Sequence, residues 1–206
     1  MENYQEQYNQ ELHQQEIRSN LQTLKGFFWI FATVLVIWVL TLLRIFIVDA
    51  RIFTMAVGMS VVIGIPIVYI YKKVDLSKQW VKYVFLTLIC MISAIFATFL
   101  SFHAVLIYVL PLLLAVQYRQ KRSLWITYFV NNITMTISML AGFYHGICDL
   151  NLLLGSNHTR SWYLEQWSAG ALQFDLEPDP VFVILFYGAL PRAVILLVFT
   201  LILRYI

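Results

Sequence analysis

Apolar runs of about 20 residues recur along the chain, and each is long enough to cross the roughly 30 Å hydrocarbon layer as a helix. A helix satisfies its own backbone hydrogen bonds in lipid. The dyad alternation that a transmembrane β-barrel requires is absent. The runs predict six spans: Gly26–Val48, Ile52–Tyr71, Val81–Leu100, Phe102–Tyr118, Leu124–Ile147 and Val181–Leu203. Nearly all are joined by very short loops, so consecutive helices should be antiparallel neighbours. The result is an all-α, polytopic bundle over residues 26–206, with an outer connection at 148–180 and no second domain. Ahead of it, residues 1–25 are rich in Gln and Glu and carry Tyr4, Tyr8, Leu12, Ile17, Leu21 and Leu24 at loosely helical intervals. They predict a cytoplasmic N-terminal helix, which either pairs with a partner helix or extends the first span inward.

Composition agrees with the pattern: 61% of residues are hydrophobic, 12% are charged and the mean hydropathy is +0.75. The lipid bilayer is therefore the first expected partner. The net charge of +3 carries no signal for nucleic acid, because the cations follow the positive-inside rule. With the N-terminus in the cytoplasm, Arg18, Lys25, Lys72, Lys73, Lys78, Lys82, Arg119, Lys121, Arg122 and Arg204 all fall inside, leaving Arg51 and Arg160 outside. Both termini are then cytoplasmic and the protein resides in the cell membrane. Cys90, deep in the third span, and Cys148, at an outer end, lie too far apart for a disulfide.

Polar residues in the fifth span form a series. Thr127, Asn131, Thr134, Ser138, Ala141, His145 and Asp149 follow one another at intervals of three or four, on one stripe of one helix. The stripe must face the bundle interior or a water-filled cavity, and small hydroxylated residues equally let helices approach and bond across an interface. In the sixth span Arg192 lies near mid-membrane, where insertion costs roughly 2.5–3.5 kcal/mol. Its side chain leans toward the outer, N-terminal end of its helix. Pro191 frees the carbonyl of Tyr187 as an internal acceptor. These features group Arg192 with Asp149 and His145, and with His103, Arg44 and Asp49 at neighbouring outer ends. The cluster is either a structural ion pair that fixes helix register or a pocket for a small ligand bearing an anionic or hydrogen-bonding group. In the ligand reading the site residues are Arg192, Asp149, His145, Asn131, Ser138, Thr134, His103 and Arg44. No spacing fixes a third ligand for a metal at His145, Asp149 and His103. No nucleophile is placed beside a base, so neither a cofactor nor an enzymatic activity is expected.

The outer connection adds "TRSWYLEQWSAGAL", whose Trp162, Tyr163 and Trp167 suit a headgroup layer, and "FDLEPDP", where Asp179 and Pro180 can open the sixth span. The run "YVLPLLLAVQYRQKRSLWITYFVNN", with "GFYHGICDLN" and "LPRAVILLVFTLILRYI", resembles the N-terminal multi-span sensor regions that precede cytoplasmic output domains in clostridial signalling proteins, notably GGDEF diguanylate cyclases. It covers roughly the last half of the chain. The resemblance implies an input module that binds a small ligand and passes a signal through its last helix to a homodimeric partner or a covalently following output domain. The sequence ends at Ile206 with no GGDEF motif, so no cyclase chemistry carries over, and a longer native chain is the expectation. A small-solute transporter, or the substrate-binding subunit of one, is the alternative. A scaffold whose polar groups serve only packing is the third reading.

Overall fold

The computed structural model describes residues 2–45, 50–100, 105–144 and 180–205. It is all-helical over those residues: α1 (Glu2–Leu42), α2 (Ala50–Lys73), α3 (Gln79–Leu100), a 3-10 turn (Val105–Val109) running into α4 (Leu110–Val116), α5 (Lys121–Tyr144), and a last helix composed of α6 (Pro180–Val183), a π-helical stretch (Ile184–Ala189) and α7 (Leu190–Leu203). Five helices are long and apolar enough to cross a membrane: α1, α2, α3, α5 and the last helix. The protein has the form of a multi-pass membrane bundle.

Facing side chains fix the directions of packing. Phe27 lies against Gly64, where an added Cβ would come within 3.3 Å of the ring. Further along, the Trp38 indole donates to the Thr54 hydroxyl at 3.0 Å. One residue number falls as the other rises, so α1 and α2 are antiparallel. Between α3 and α5 the two numbers rise together. Lys82 meets Gln120 at one end and Ala94 meets Ser138 further up, so these two helices run parallel.

That relation gives the fourth apolar run its role. A chain leaving α3 at the far end must return before α5 starts, and the 3-10 turn and α4 lie on that return path. Their five and seven residues span roughly 20 Å at 2.0 and 1.5 Å per residue, well short of the hydrocarbon layer. Of the run expected at Phe102–Tyr118, the described residues form this turn and short helix, with Pro111 near the helix start, where the missing N–H has no intrahelical partner to lose.

α1 continues through Gly26 without a break and is 41 residues long. Its amphipathic half docks on the bundle, with Ser19, Asn20, Thr23 and Leu24 buried. Gly26 makes this close approach workable, since a Cβ there would stand 2.6 Å from the Leu114 side chain on α4. α1 stops in a left-handed cap: Arg44, at φ 58°, donates its N–H to Thr41, and the Ile45 N–H reaches back to Leu40, both at 3.0 Å. Arg119 takes the same conformation, φ 51°, in the turn after α4. The apolar core lies mainly along α2 and α3, where Phe53, Ile67, Val81, Phe85, Leu86 and Phe96 are almost completely enclosed.

Candidate functional site

The series on α5 is largely engaged in helix packing. Asn131 is fully buried and donates its amide to the Tyr108 carbonyl at 2.6 Å. Ser138 donates to the Ala94 carbonyl at 2.8 Å and meets the Thr98 hydroxyl on α3. Thr127 and Thr134 return their hydroxyls to their own helix, on Ser123 and on Val130 and Asn131 respectively. A stripe of this kind lets two helices approach closely and share hydrogen bonds where lipid offers none.

Arg192 is half-buried, and its Nη1 donates to the Gly188 carbonyl of its own helix at 3.0 Å. The side chain leans toward the helix N-terminus, as helical geometry dictates. Gly188, one position beyond the expected Tyr187, supplies this carbonyl, and Arg192 makes a further interaction besides it. A π-helical stretch, Ile184–Ala189, precedes Pro191. Arg44 is exposed and serves the α1 cap. His103, His145, Asp149 and Asp49 lie outside the described residues, as do Cys148, Asn157 and the Trp162–Trp167 segment.

A cleft of about 350 Å³ opens between α5 and the π-helical stretch, within the volume range of small-molecule sites. Its walls include Tyr128, Phe129, Asn132 and Thr136 from α5, facing Leu185, Phe186 and Ala189. It is closed at one end by Tyr128, whose hydroxyl donates to the Ala193 carbonyl at 3.3 Å across the helix pair. Asn132 donates its amide to the Tyr128 carbonyl at 2.8 Å, while its Oδ1 is buried without a hydrogen-bond partner. Such an orphaned acceptor costs about 1–3 kcal/mol when nothing occupies it. The cleft therefore combines an apolar, partly aromatic body with the side chains of Asn132 and Thr136 on one wall. Its other wall is a backbone whose extra residue per turn can be absorbed or released. Asn132 lies one position from Asn131 in the series read from the sequence, and Thr136 lies two positions from Thr134 and from Ser138, on the adjacent face of the same helix. The π-helical stretch leaves no such trace in the sequence beyond the small pair Gly188–Ala189 ahead of Pro191.

A second polar group, at the opposite end of α5, was hidden in the sequence. Lys82 is enclosed, with Nζ 2.6 Å from Glu16 Oε1 and 2.8 Å from Gln120 Oε1. Gln120 Nε2 closes the ring by donating to Glu16 Oε1 at 3.0 Å. Beside it Asn20, fully buried, donates to the Leu76 carbonyl and accepts from the Tyr118 hydroxyl, each at 2.7 Å. Ser19 donates to the Gln117 carbonyl at 3.1 Å. These bonds join α1 to the α2–α3 and α4–α5 turns. They gather the basic segments at Lys72–Lys82 and Arg119–Arg122 at one end of the bundle, where Arg204 also lines a cleft with Arg119 and Lys121.

The class these features define is a multi-pass helical membrane bundle with a cleft against an irregular last helix. The chain matches no protein-family model, no curated protein and no solved structure.

Proposed function

We propose that the protein is an integral membrane sensor, an input module that takes a small ligand between α5 and the last helix and passes the event along that helix. The observation that carries this reading is the cleft itself: Asn132 and Thr136 stand in an otherwise largely apolar wall that faces residues of the π-helical stretch Ile184–Ala189. A small, largely apolar ligand seated there would contact Asn132 and Thr136 on one side and press on Leu185 and Phe186 on the other. π-Helical turns inside α-helices are found mostly at functional positions, because the extra residue can migrate and turn the segment beyond it. Rotation of α7 is the output, read by a second copy or by a domain beyond residue 206. With the basic end in the cytoplasm, as the positive-inside rule requires, both termini face inward and the cleft lies toward the outer half. The resemblance to clostridial sensor regions read from the sequence would imply the same role.

Solute transport is the weaker reading, because of the polar groups that would continue a route inward, Thr127, Asn131 and Asn132, the first two are buried and the Thr127 hydroxyl and both amide nitrogens are engaged within the bundle. Thermal-shift screening of small amphiphilic donors against the protein in nanodiscs tests the proposal. A binder should raise Tm in the wild type and lose its effect in Asn132→Leu. Binders equally effective on both proteins, or uptake of the solute into sealed vesicles, would sink it.

A further inference from the structure

A separate groove of about 430 Å³ lies between α1 and α2, at the basic end of the bundle. Phe27, Phe28 and Phe31 form one wall, Val61, Ile65 and Val68 the other, and Lys72 and Lys73 stand at its mouth with Tyr69 beside them. Its floor exists because Gly64 carries no side chain, which lets the Phe27 ring lie on α2. From Val61 to Lys73 the groove follows α2 for twelve residues, about 18 Å at 1.5 Å per residue. That length is close to one leaflet, half of the roughly 30 Å hydrocarbon layer. Both lysines are exposed and, among the described residues, neither is paired with a carboxylate.

We infer that this groove is a binding site for one anionic phospholipid of the inner leaflet, with an acyl chain along the phenylalanine wall and its phosphate held by Lys72 and Lys73. Charge complementarity selects the occupant. A neutral helix from another protein would leave two ammonium groups without counter-charge at the mouth, whereas a phosphodiester sits at that depth in every anionic lipid. The aromatic rings add stiff apolar surface at the same level, and Tyr69 occupies the interfacial position that amphipathic rings favour. The site is independent of the cleft at Asn132 and would stand if the sensor reading failed.

Native mass spectrometry of the full chain, released from nanodiscs of equal phosphatidylglycerol and phosphatidylcholine, tests the assignment. One phosphatidylglycerol should be retained in preference to phosphatidylcholine. The double substitution Lys72→Gln/Lys73→Gln should weaken that retention roughly thirtyfold, each lysine contributing about what a basic residue contributes near an anionic surface. Val68→Trp, which fills the groove and leaves both lysines in place, should expel the bound lipid of either headgroup. Three results overturn the inference. Retention unchanged by the lysine substitutions is one; displacement by millimolar inorganic phosphate, which has no acyl chain, is another. The third is a lipid-free dimer that Val68→Trp dissociates, since the groove would then belong to a second copy. Both variants replace exposed side chains, and an unchanged circular dichroism spectrum confirms their fold.

Discussion

Replacing Lys82 with methionine should release the N-terminal half of α1 from the bundle. Lys82 Nζ makes two short hydrogen bonds, to Glu16 and Gln120, in a site where the lysine side chain is 2% exposed and the glutamate 13%. Methionine preserves most of the packing volume and deletes the ammonium. Glu16 would then keep a buried negative charge whose remaining bond is that from Gln120 Nε2, while its Oε2 already lacks a partner. Removing one member of a buried pair typically costs 3–5 kcal/mol; the partial exposure of Glu16 places this case near the lower end, about 3 kcal/mol. That corresponds to roughly a hundredfold rise in the open population. Hydrogen exchange across residues 10–24 in detergent or nanodiscs reads it directly, with urea unfolding as the global measure. The double substitution Lys82→Met/Glu16→Leu should recover most of the loss, because two apolar groups leave no charge uncompensated. If Lys82→Met changes exchange in this segment less than fivefold, or if the double variant opens as readily as the single one, the reasoning is wrong.

Asn20→Ala removes a side chain that serves both the Leu76 carbonyl and the Tyr118 hydroxyl, and should cost about 2 kcal/mol in unfolding measurements by leaving the buried Tyr118 hydroxyl and the half-buried Leu76 carbonyl without this partner. Arg44→Gly relieves a left-handed conformation at the α1 cap and should leave the protein unchanged or stabilise it by up to about 1 kcal/mol, read as a rise in Tm. Ser138→Ala should cost less than about 1 kcal/mol, as interhelical hydrogen bonds in membranes usually do, whereas Ser138→Leu should wedge α3 from α5 and cost several times more. The Asp75 carboxyl, which accepts the Ser77 backbone N–H at 3.0 Å, is held below its ordinary value by that bond. Its contribution to the α2–α3 turn is therefore present at neutral pH and lost as pH falls through the depressed value; chemical shifts of the Ser77 amide should report this titration and show none in Asp75→Asn.

The long helices were legible because their signal is local. Apolar runs long enough to cross a membrane lie in α1, α2, α3, α5 and the last helix, whereas the spacing of Leu21 and Leu24 marks the N-terminal segment as helical and leaves open whether it pairs with a partner or extends the first span, as α1 does. The α5 series was legible as a stripe, and its sequence allowed either a cavity or a packed interface. Only the position of Tyr108 and Ala94 distinguishes them, and register between separate helices is not a property of either helix alone. Lys82 shows the limit most clearly. By sequence it is one more cation on the cytoplasmic side, yet its acidic partner lies 66 positions away. Nothing in "QWVKYVFL" sets it apart from Lys78. The π-helical stretch is equally silent, since an extra residue in a helical turn alters neither hydropathy nor length.

α1 is one rod pinned near its middle. At 1.5 Å per residue it measures about 60 Å, and the bonds of Glu16, Ser19 and Asn20 hold it at a point that leaves about 20 Å of helix on one side and about 33 Å on the other. A rigid rod held this way moves as a lever. A tilt of the membrane-crossing arm swings the shorter arm in the opposite direction, with about two-thirds of the travel. Changes in membrane thickness or lateral pressure around α1 would thus reach Glu2 as a lateral displacement, opposed by the Trp38–Thr54 hydrogen bond that ties the longer arm to α2.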